Sequence, residues 1–457
     1  MLNIGFSEKT DGIPPEVLFQ THWPNYFKNP KLKEVQMTLR RISIMAFICL
    51  FSIFMLISCA EKPDLSEKVA ELTKKNAELT EQIAQLTEKP VLPAAGVYKV
   101  GAVFSVTGRA SFLGDPEKKT AIMLAEQINK SGGINGNKLE LIVYDSEGDA
   151  TKCNLAVKKL INEDKVCAVI GPSLSGTSLA VLPVAEESET PLISCAASYK
   201  IVHDEKTGKP YKWVFKTPQT DTMAAEAIYT HLQKRGLNKI AIMSVTSGFG
   251  ASGRGELIKL APQYGMNIVA DEKYGPKDTD MTAQLTKIKG LAPQAIVNWS
   301  IGPTQVVVLR NWKDLGMTSI PFYQSHGFGS RKNIELAAGA AEGVFCPLGA
   351  CNIAELLTPY DTQYNVTMSY MKDYMAKYNE PLSSFGGHAW DALNMLKQTL
   401  SAVGDDKAKI RDYLENNIKN FVGQHGIFNF SPDDHNGLTK EAFSMVVVKD
   451  GDWALAG

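Results

Sequence analysis

Residues 166–197 read VCAVIGPSLSGTSLAVLPVAEESETPLISCAA. A continuous apolar run, VCAVI, meets a loop of Gly, Pro and Ser. A helical stretch to about Glu187 follows, and a second apolar run, PLISCAA (191–197), closes the segment. Two short apolar runs bounded by turn residues read as strands buried on both faces, and the stretch between them is long enough for a crossover. This is a βαβ unit, and it predicts a parallel sheet covered by helices.

The same rhythm extends outward. Upstream lie a strand VYKVGAVF (97–104), a helix over 115–130, a turn cluster SGGINGN (131–137), a strand LELIVYD (139–145) and a helix over 151–163. Downstream, after a turn-rich stretch (204–212), come a helix over 221–235, KIAIMSV (239–245), a helix over 251–264 and MNIVADE (266–272). A helix over 280–289, QAIVNWS (294–300), a helix over 303–315 and PFYQSH (321–326) complete the second series. The spacing predicts an α/β protein of two successive lobes, with ligand bound at the carboxyl ends of the strands. The last third is less regular: GVFC (343–346) and FSMVVVKDG (443–451) read as strands, and 360–379, 388–403 and 407–417 as helices. Segments 204–220, 326–345 and around 421–430 are candidate crossings between lobes.

Composition bounds the function. The chain has 457 residues, 44% apolar and 21% charged, which excludes a polytopic membrane protein and a mostly disordered chain. Lys plus Arg (48) nearly balances Asp plus Glu (49), and no basic cluster interleaved with aromatics stands out, so nucleic acid is not an expected partner. Seven cysteines are too few for a disulfide scaffold of this length.

The N-terminus reads as an address. ISIMAFICLFSIFMLI (42–57) is uncharged and follows Arg40 and Arg41, with Met37 just before them. Its length suits a signal-peptide core better than a membrane span. Leu56-Ile57-Ser58-Cys59 then resembles a bacterial lipobox, in which Cys59 becomes the lipidated first residue; a plain membrane anchor is the alternative. The expected organisation is an upstream extension (1–36), a lipoprotein signal peptide (37–58), and a lipidated stalk and linker (59–96), with the body held outside the cytoplasm on a bacterial membrane. Within the stalk, Leu65, Val69, Leu72, Asn76, Leu79, Ile83 and Leu86 follow the period of a coiled-coil seam, compatible with a solvated single helix or a homo-oligomer.

Two glycine-rich loops invite cofactor readings. GPSLSGTS (171–178) has the spacing of a phosphate loop, but Thr177 stands where its lysine belongs. What survives is a set of Ser hydroxyls and free amides at a helix N-terminus, which favours a carboxylate. Gly248-Phe249-Gly250-Ala251-Ser252-Gly253 follows a strand and matches the dinucleotide fingerprint, with Asp271 ending the next strand. This keeps an NAD-dependent enzyme as the rival from another class. Cys346 and Cys351 bracket PLGA and are candidates for a small-loop disulfide, with Cys195 the candidate free thiol. Of the histidines, His326 and His388 follow apolar or glycine-rich segments and are the two of interest. No metal site is expected.

Residues 97–457 resemble the leucine/isoleucine/valine-binding protein family, the type I periplasmic solute-binding proteins of ABC transporters. The matching stretches are VGAVFSVTGRASFLGD (100–115), INKSGGINGNKLELIVYDSEGD (128–149), AVIGPSLSGTS (168–178), PLISCAAS (191–198), KTPQTD (216–221), GAAEGVF (339–345) and HAWDAL (388–393). The resemblance implies two Rossmann-like lobes joined by three hinge crossings, lobe one being 97–217 plus 346–424 and lobe two 218–345 plus 425–457. It implies ligand contacts from Ser175, Ala196 and Ser198, a side-chain pocket walled by Phe112 and Leu113, and second-lobe contacts from Phe249 and Ile301. His326 falls where the family places the acid that holds an ammonium group. An imidazole suits an anion or a carbonyl better, so the expected ligand is a small carboxylate: an amino acid, a modified amino acid or an aromatic or aliphatic acid. Trp299 and Phe328 are possible stacking partners for it. No cofactor is implied and no covalent chemistry is required. The expected partner is an ABC permease, or alternatively a signalling protein for which this chain senses ligand.

Overall fold

The computed structural model describes residues 96–456, together with residues 68, 70, 71 and 73–77, which are helical and exposed. The leader, Cys59 and most of the heptad positions lie outside the described residues. Among the described residues no helix is long and apolar enough to cross a membrane.

The body begins with β1 (Val97–Phe104), α1 (Ser111–Lys130), β2 (Lys138–Asp145), α2 (Ala150–Asn162), β3 (Ala168–Ile170), α3 (Ser175–Glu187) and β4 (Leu192–Ser194). A short antiparallel hairpin of β5 (His203–Asp204) and β6 (Lys209–Pro210) precedes β7 (Val214–Lys216). These strands form a five-stranded parallel sheet in the order β2-β1-β3-β4-β7. Alternation along β1 decides its two faces. Ala102 and Phe104 join a core with Leu393, Leu396 and Leu400, whereas Val103 points to the other side among Val157, Leu160 and Val181. With helices on both faces the central strands β3 and β4 are short and fully buried, whereas the edge strand β2 carries Lys138, Glu140 and Asp145.

The second sheet follows α4 (Asp221–Lys234). It is built from β8 (Lys239–Val245), α5 (Gly248–Leu260), β9 (Asn267–Tyr274), α6 (Thr282–Gly290), β10 (Ala295–Trp299), α7 (Thr304–Asp314), β11 (Phe322–Gln324), α8 (Arg331–Ala337) and β12 (Phe345–Leu348). The chain then returns to the first sheet with α9 (Tyr364–Tyr378), α10 (Ser384–Val403), α11 (Lys407–Asn417) and the hairpin β13 (Phe421–Val422) and β14 (Ile427–Phe428). It ends in β15 (Ser444–Lys449) and β16 (Asp452–Leu455), which extend the second sheet antiparallel, giving the order β16-β15-β12-β11-β10-β8-β9.

Two sequence expectations need correction. The lobe boundaries at 345/346 and 424/425 both move later: β12 pairs with β11 and β15 in the second sheet, while Phe428, Phe430 and Leu438 pack in the first core. The reason is that β12 and β15 pair with each other, a contact that local pattern does not reveal. The pairing considered for Cys346 and Cys351 is absent. Both are buried free thiols; Cys346 Sγ turns toward the Ser325 carbonyl (3.2 Å) in the second core, while Cys351 packs with Met123, Tyr370 and Tyr374. Trp299 and Phe328, for which core packing is the commoner role and ligand stacking the alternative, are both fully buried core residues.

Candidate functional site

Loops leaving the carboxyl ends of six strands meet between the two sheets. They enclose an outer cavity of about 710 Å3, and deeper, where the loops after β4, β7 and β11 also contribute, lies a pocket of about 30 Å3. Leu174, Ser175, Phe249 and Ile301 line both and form the partition. The inner pocket has room for about one or two waters.

Helix starts surround the outer cavity. Gly148 and Ala150 bring the start of α2, Ser175 to Thr177 that of α3, Ser247 and Gly248 that of α5, and Gly302 to Thr304 that of α7. Asp149 caps α2 by accepting from Lys152 N (2.9 Å), and Ser247 caps α5 by accepting from Gly250 N (3.2 Å). At α3 the capping position is Leu174, which has no side-chain acceptor, so its first amides keep their capacity for an anion. Arg109 and Lys277 add positive charge and Glu147 and Asp278 negative charge at the rim. Arg109 Nη1 donates to the Pro276 carbonyl at 3.0 Å, joining the two sheets' loops across the mouth.

Of the residues expected to touch ligand, Phe112 lines the outer cavity, and Leu113, Ala196 and His326 the inner pocket. Ser175, Phe249 and Ile301 line both. Ser198 lines neither. It precedes the 3-10 turn Tyr199–Ile201, and its hydroxyl pairs with that of Ser252 in α5 (2.7 Å). Its amide donates to Ser175 Oγ (3.3 Å), and the Ala196 amide donates to Ser194 Oγ (3.1 Å). Of the residues expected to cradle a carboxylate, Ser175 lines both compartments and Ala196 the inner pocket.

The inner pocket has a polar side that sequence reading only partly foresaw. His326 sits edge-on to Phe249 and Trp299, with ring centroids at 5.2 and 5.8 Å. Both its ring nitrogens are sealed from solvent and unpartnered, although part of the residue's surface faces the pocket. His388, from α10, lines the same pocket; its Nδ1 is buried and unpartnered, and its ring stacks on His425 at 3.7 Å. His425 Nδ1 in turn donates to Asp391 Oδ2 (2.9 Å). Burial, reinforced by Lys216 and His425, holds His326 down at about 3, and burial pushes His388 well below the ordinary imidazole range, so both rings are neutral. Glu117 lies behind Ser173, whose hydroxyl it accepts, and burial raises its pKa well above the usual range. Ser173, one of the hydroxyls of the 171–178 loop, also lines the pocket, as does Phe385, which carries no signal in the sequence pattern.

The dinucleotide fingerprint has a packing explanation. A methyl on Gly250 would lie 1.8 Å from the Val245 carbonyl oxygen, and one on Gly253 would lie 1.9 Å from the Trp299 ring. One on Gly248 would lie 2.9 Å from the Gly176 nitrogen, so the other sheet's backbone lies against the loop. Asp271, the ribose-binding candidate, accepts from Arg254 Nε at 2.8 and 2.9 Å.

The family model described as "Periplasmic binding protein" matches residues 97–452. The chain belongs to the periplasmic binding protein family. This binding protein is 26% identical over 326 residues to the leucine-, isoleucine-, valine-, threonine-, and alanine-binding protein of Pseudomonas aeruginosa, a match covering 71% of this chain and 83% of that one. It is 24% identical to Leu/Ile/Val-binding protein homolog 7 of Brucella abortus, covering 70% and 82% of the two chains. Its fold is similar to that of an extracellular ligand-binding receptor from Rhodopseudomonas palustris HaA2, with a TM-score of 0.73, 28% identity, and coverage of 79% of this chain and 99% of that one. It also resembles in fold a branched-chain amino acid transporter substrate binding protein from Streptococcus pneumoniae in complex with isoleucine, with a TM-score of 0.68, 24% identity, and coverage of 78% and 97%. The two-sheet α/β architecture is that of the type I periplasmic binding proteins.

Proposed function

We propose that this chain is the extracytoplasmic solute receptor of an ABC transporter of the branched-chain amino acid type. The ligand enters between the two sheets, its carboxylate meets Ser175 and the first amides of α3, and closure of the lobes presents the complex to a permease. The observation that carries this reading is the uncapped start of α3 facing a cavity of about 710 Å3 across which both lobes supply walls. The named functions of the relatives support the receptor role, and the family supports a location outside the cytoplasm. Cys59, as a lipidated first mature residue, would hold the receptor at a membrane, and the stalk would carry the body away from it.

Isothermal titration of the purified chain with branched-chain amino acids and with simple carboxylates tests the role. Saturable binding of one class, weakened tenfold or more by Ser175→Ala, supports it. Heat-silent titrations with every solute, together with tight NAD binding, would overturn it. Metabolic labelling with a fatty acid, lost in Cys59→Ser, tests the anchor.

A further inference from the structure

The two compartments differ in chemistry, and the difference describes a ligand. Leu113, Phe385, Phe249 and Ile301 make much of the inner pocket apolar, and no Asp or Glu lines it. Of its lining side chains, His326 at both ring nitrogens and His388 at Nδ1 carry buried nitrogens without partners, sealed until the pocket widens. A neutral imidazole offers one N–H donor and one bare acceptor nitrogen. That combination suits a hydroxyl, a carbonyl or an amide. An ammonium ion carries only donors and a charge, and here it would be desolvated with no carboxylate to meet it. The outer compartment is the opposite: four helix starts converge there, with Arg109 and Lys277 at the rim.

We propose that the ligand spans the partition, an anionic group at the start of α3 and an uncharged hydrogen-bonding group on His326 and His388, with an apolar body between Leu174, Phe249 and Ile301. It lacks an ammonium at its inner end. This inference rests on the receptor reading above and narrows its substrate class. The pocket of about 30 Å3 must widen to admit the inner group, by lobe opening or by movement of the partition. The low pKa of His326 agrees, since a neutral ring at working pH neither repels nor demands a charged partner.

Paired acids that differ only in the terminal hydroxyl test this on the full chain by isothermal titration. The pairs are 4-hydroxyphenylacetate against phenylacetate and 6-hydroxyhexanoate against hexanoate, with L-isoleucine as the zwitterionic comparison. The expected result is that, in at least one pair, the hydroxylated member binds tenfold or more tightly than its partner and tighter than L-isoleucine. His326→Phe should shrink that ratio toward one, whereas Arg109→Ala should weaken both members together. L-isoleucine binding more tightly than every hydroxy acid overturns the inference while leaving the receptor role intact, since Glu147 and Asp278 at the rim could then hold its ammonium group. Equal affinities within both pairs also overturn it. Failure of all five solutes to bind removes the inference, and the receptor role then falls only if the wider amino-acid and carboxylate series is silent too.

Discussion

Gly248, the first residue of α5, lies against the backbone of Gly176, the second residue of α3, so that two helix starts from different sheets touch across the cleft. A methyl added at Gly248 would stand 2.9 Å from the Gly176 nitrogen and 3.0 Å from its Cα. The obstacle is backbone, which cannot rotate away, so the sheets must part to admit the extra carbon. The close approach restricts Gly248 alone, since a methyl on Gly176 would meet nothing within 4 Å.

Gly248→Ala should therefore weaken ligand binding at least tenfold, about 1.4 kcal/mol, with little change in the unfolding midpoint. Gly255→Ala, on the exposed face of the same helix where nothing lies within 4 Å, is the control and should leave affinity unchanged. Isothermal titration of the two variants beside the wild type decides it; equal affinities would show that the contact does not matter for capture.

Gly253→Ala acts differently. Its methyl would overlap the buried Trp299 indole at 1.9 Å, so the cost falls on folding: about 1–3 kcal/mol or more, read as a lower denaturant midpoint with altered tryptophan emission. A variant as stable as the wild type would undo the packing account of the glycine motif.

The contribution of His326 to stability should fall as acid is added below about pH 6.5. His326 is held neutral in the fold down to about 3, while the unfolded chain protonates it near the ordinary value, so the unfolded state binds more protons across that window. At pH 5 this amounts to about 2 kcal/mol for His326, and His388 acts in the same direction. Glu117, Asp391 and Asp221 have raised values and contribute the opposite slope, and Lys216, lowered by burial, contributes the same sign as the histidines but at higher pH. The difference between wild type and His326→Gln isolates the one group. Denaturant unfolding of both proteins from pH 7.5 to 5 should converge as pH falls, and parallel curves would contradict the assignment.

The cysteines should behave as separate thiols. Cys153, Cys167, Cys195, Cys346 and Cys351 are all buried, and burial raises each of their pKa values, so native protein should alkylate slowly. After denaturation without reductant, peptide mass spectrometry should find all five alkylated. A disulfide-linked peptide joining Cys346 to Cys351 would refute the separate cores described for them.

The alternation of apolar runs and helical stretches suffices to order the strands and helices from Val97 to Ser194 and from Asp221 to Gln324, because a doubly covered parallel sheet imposes its period on local sequence, whereas the short β5, β6 and β7 fall in a stretch whose pattern reads as turn and crossing. The family resemblance implies Ser175, Phe249, Ile301 and His326 as site residues, and these four do line the cleft. Other features are legible only in three dimensions. His388 reaches the pocket from α10, far along the chain, and its place in the same pocket as His326 depends on how that helix packs on the first sheet. Ser198 looks like a ligand contact in its motif, yet a single turn of backbone sends its hydroxyl to Ser252. The second sheet's last strands and the separation of Cys346 from Cys351 depend on the β12–β15 pairing, which joins residues distant in sequence. The neutral state of the histidines is likewise a consequence of burial, which arises only when the two halves of the chain come together and exclude water from the rings.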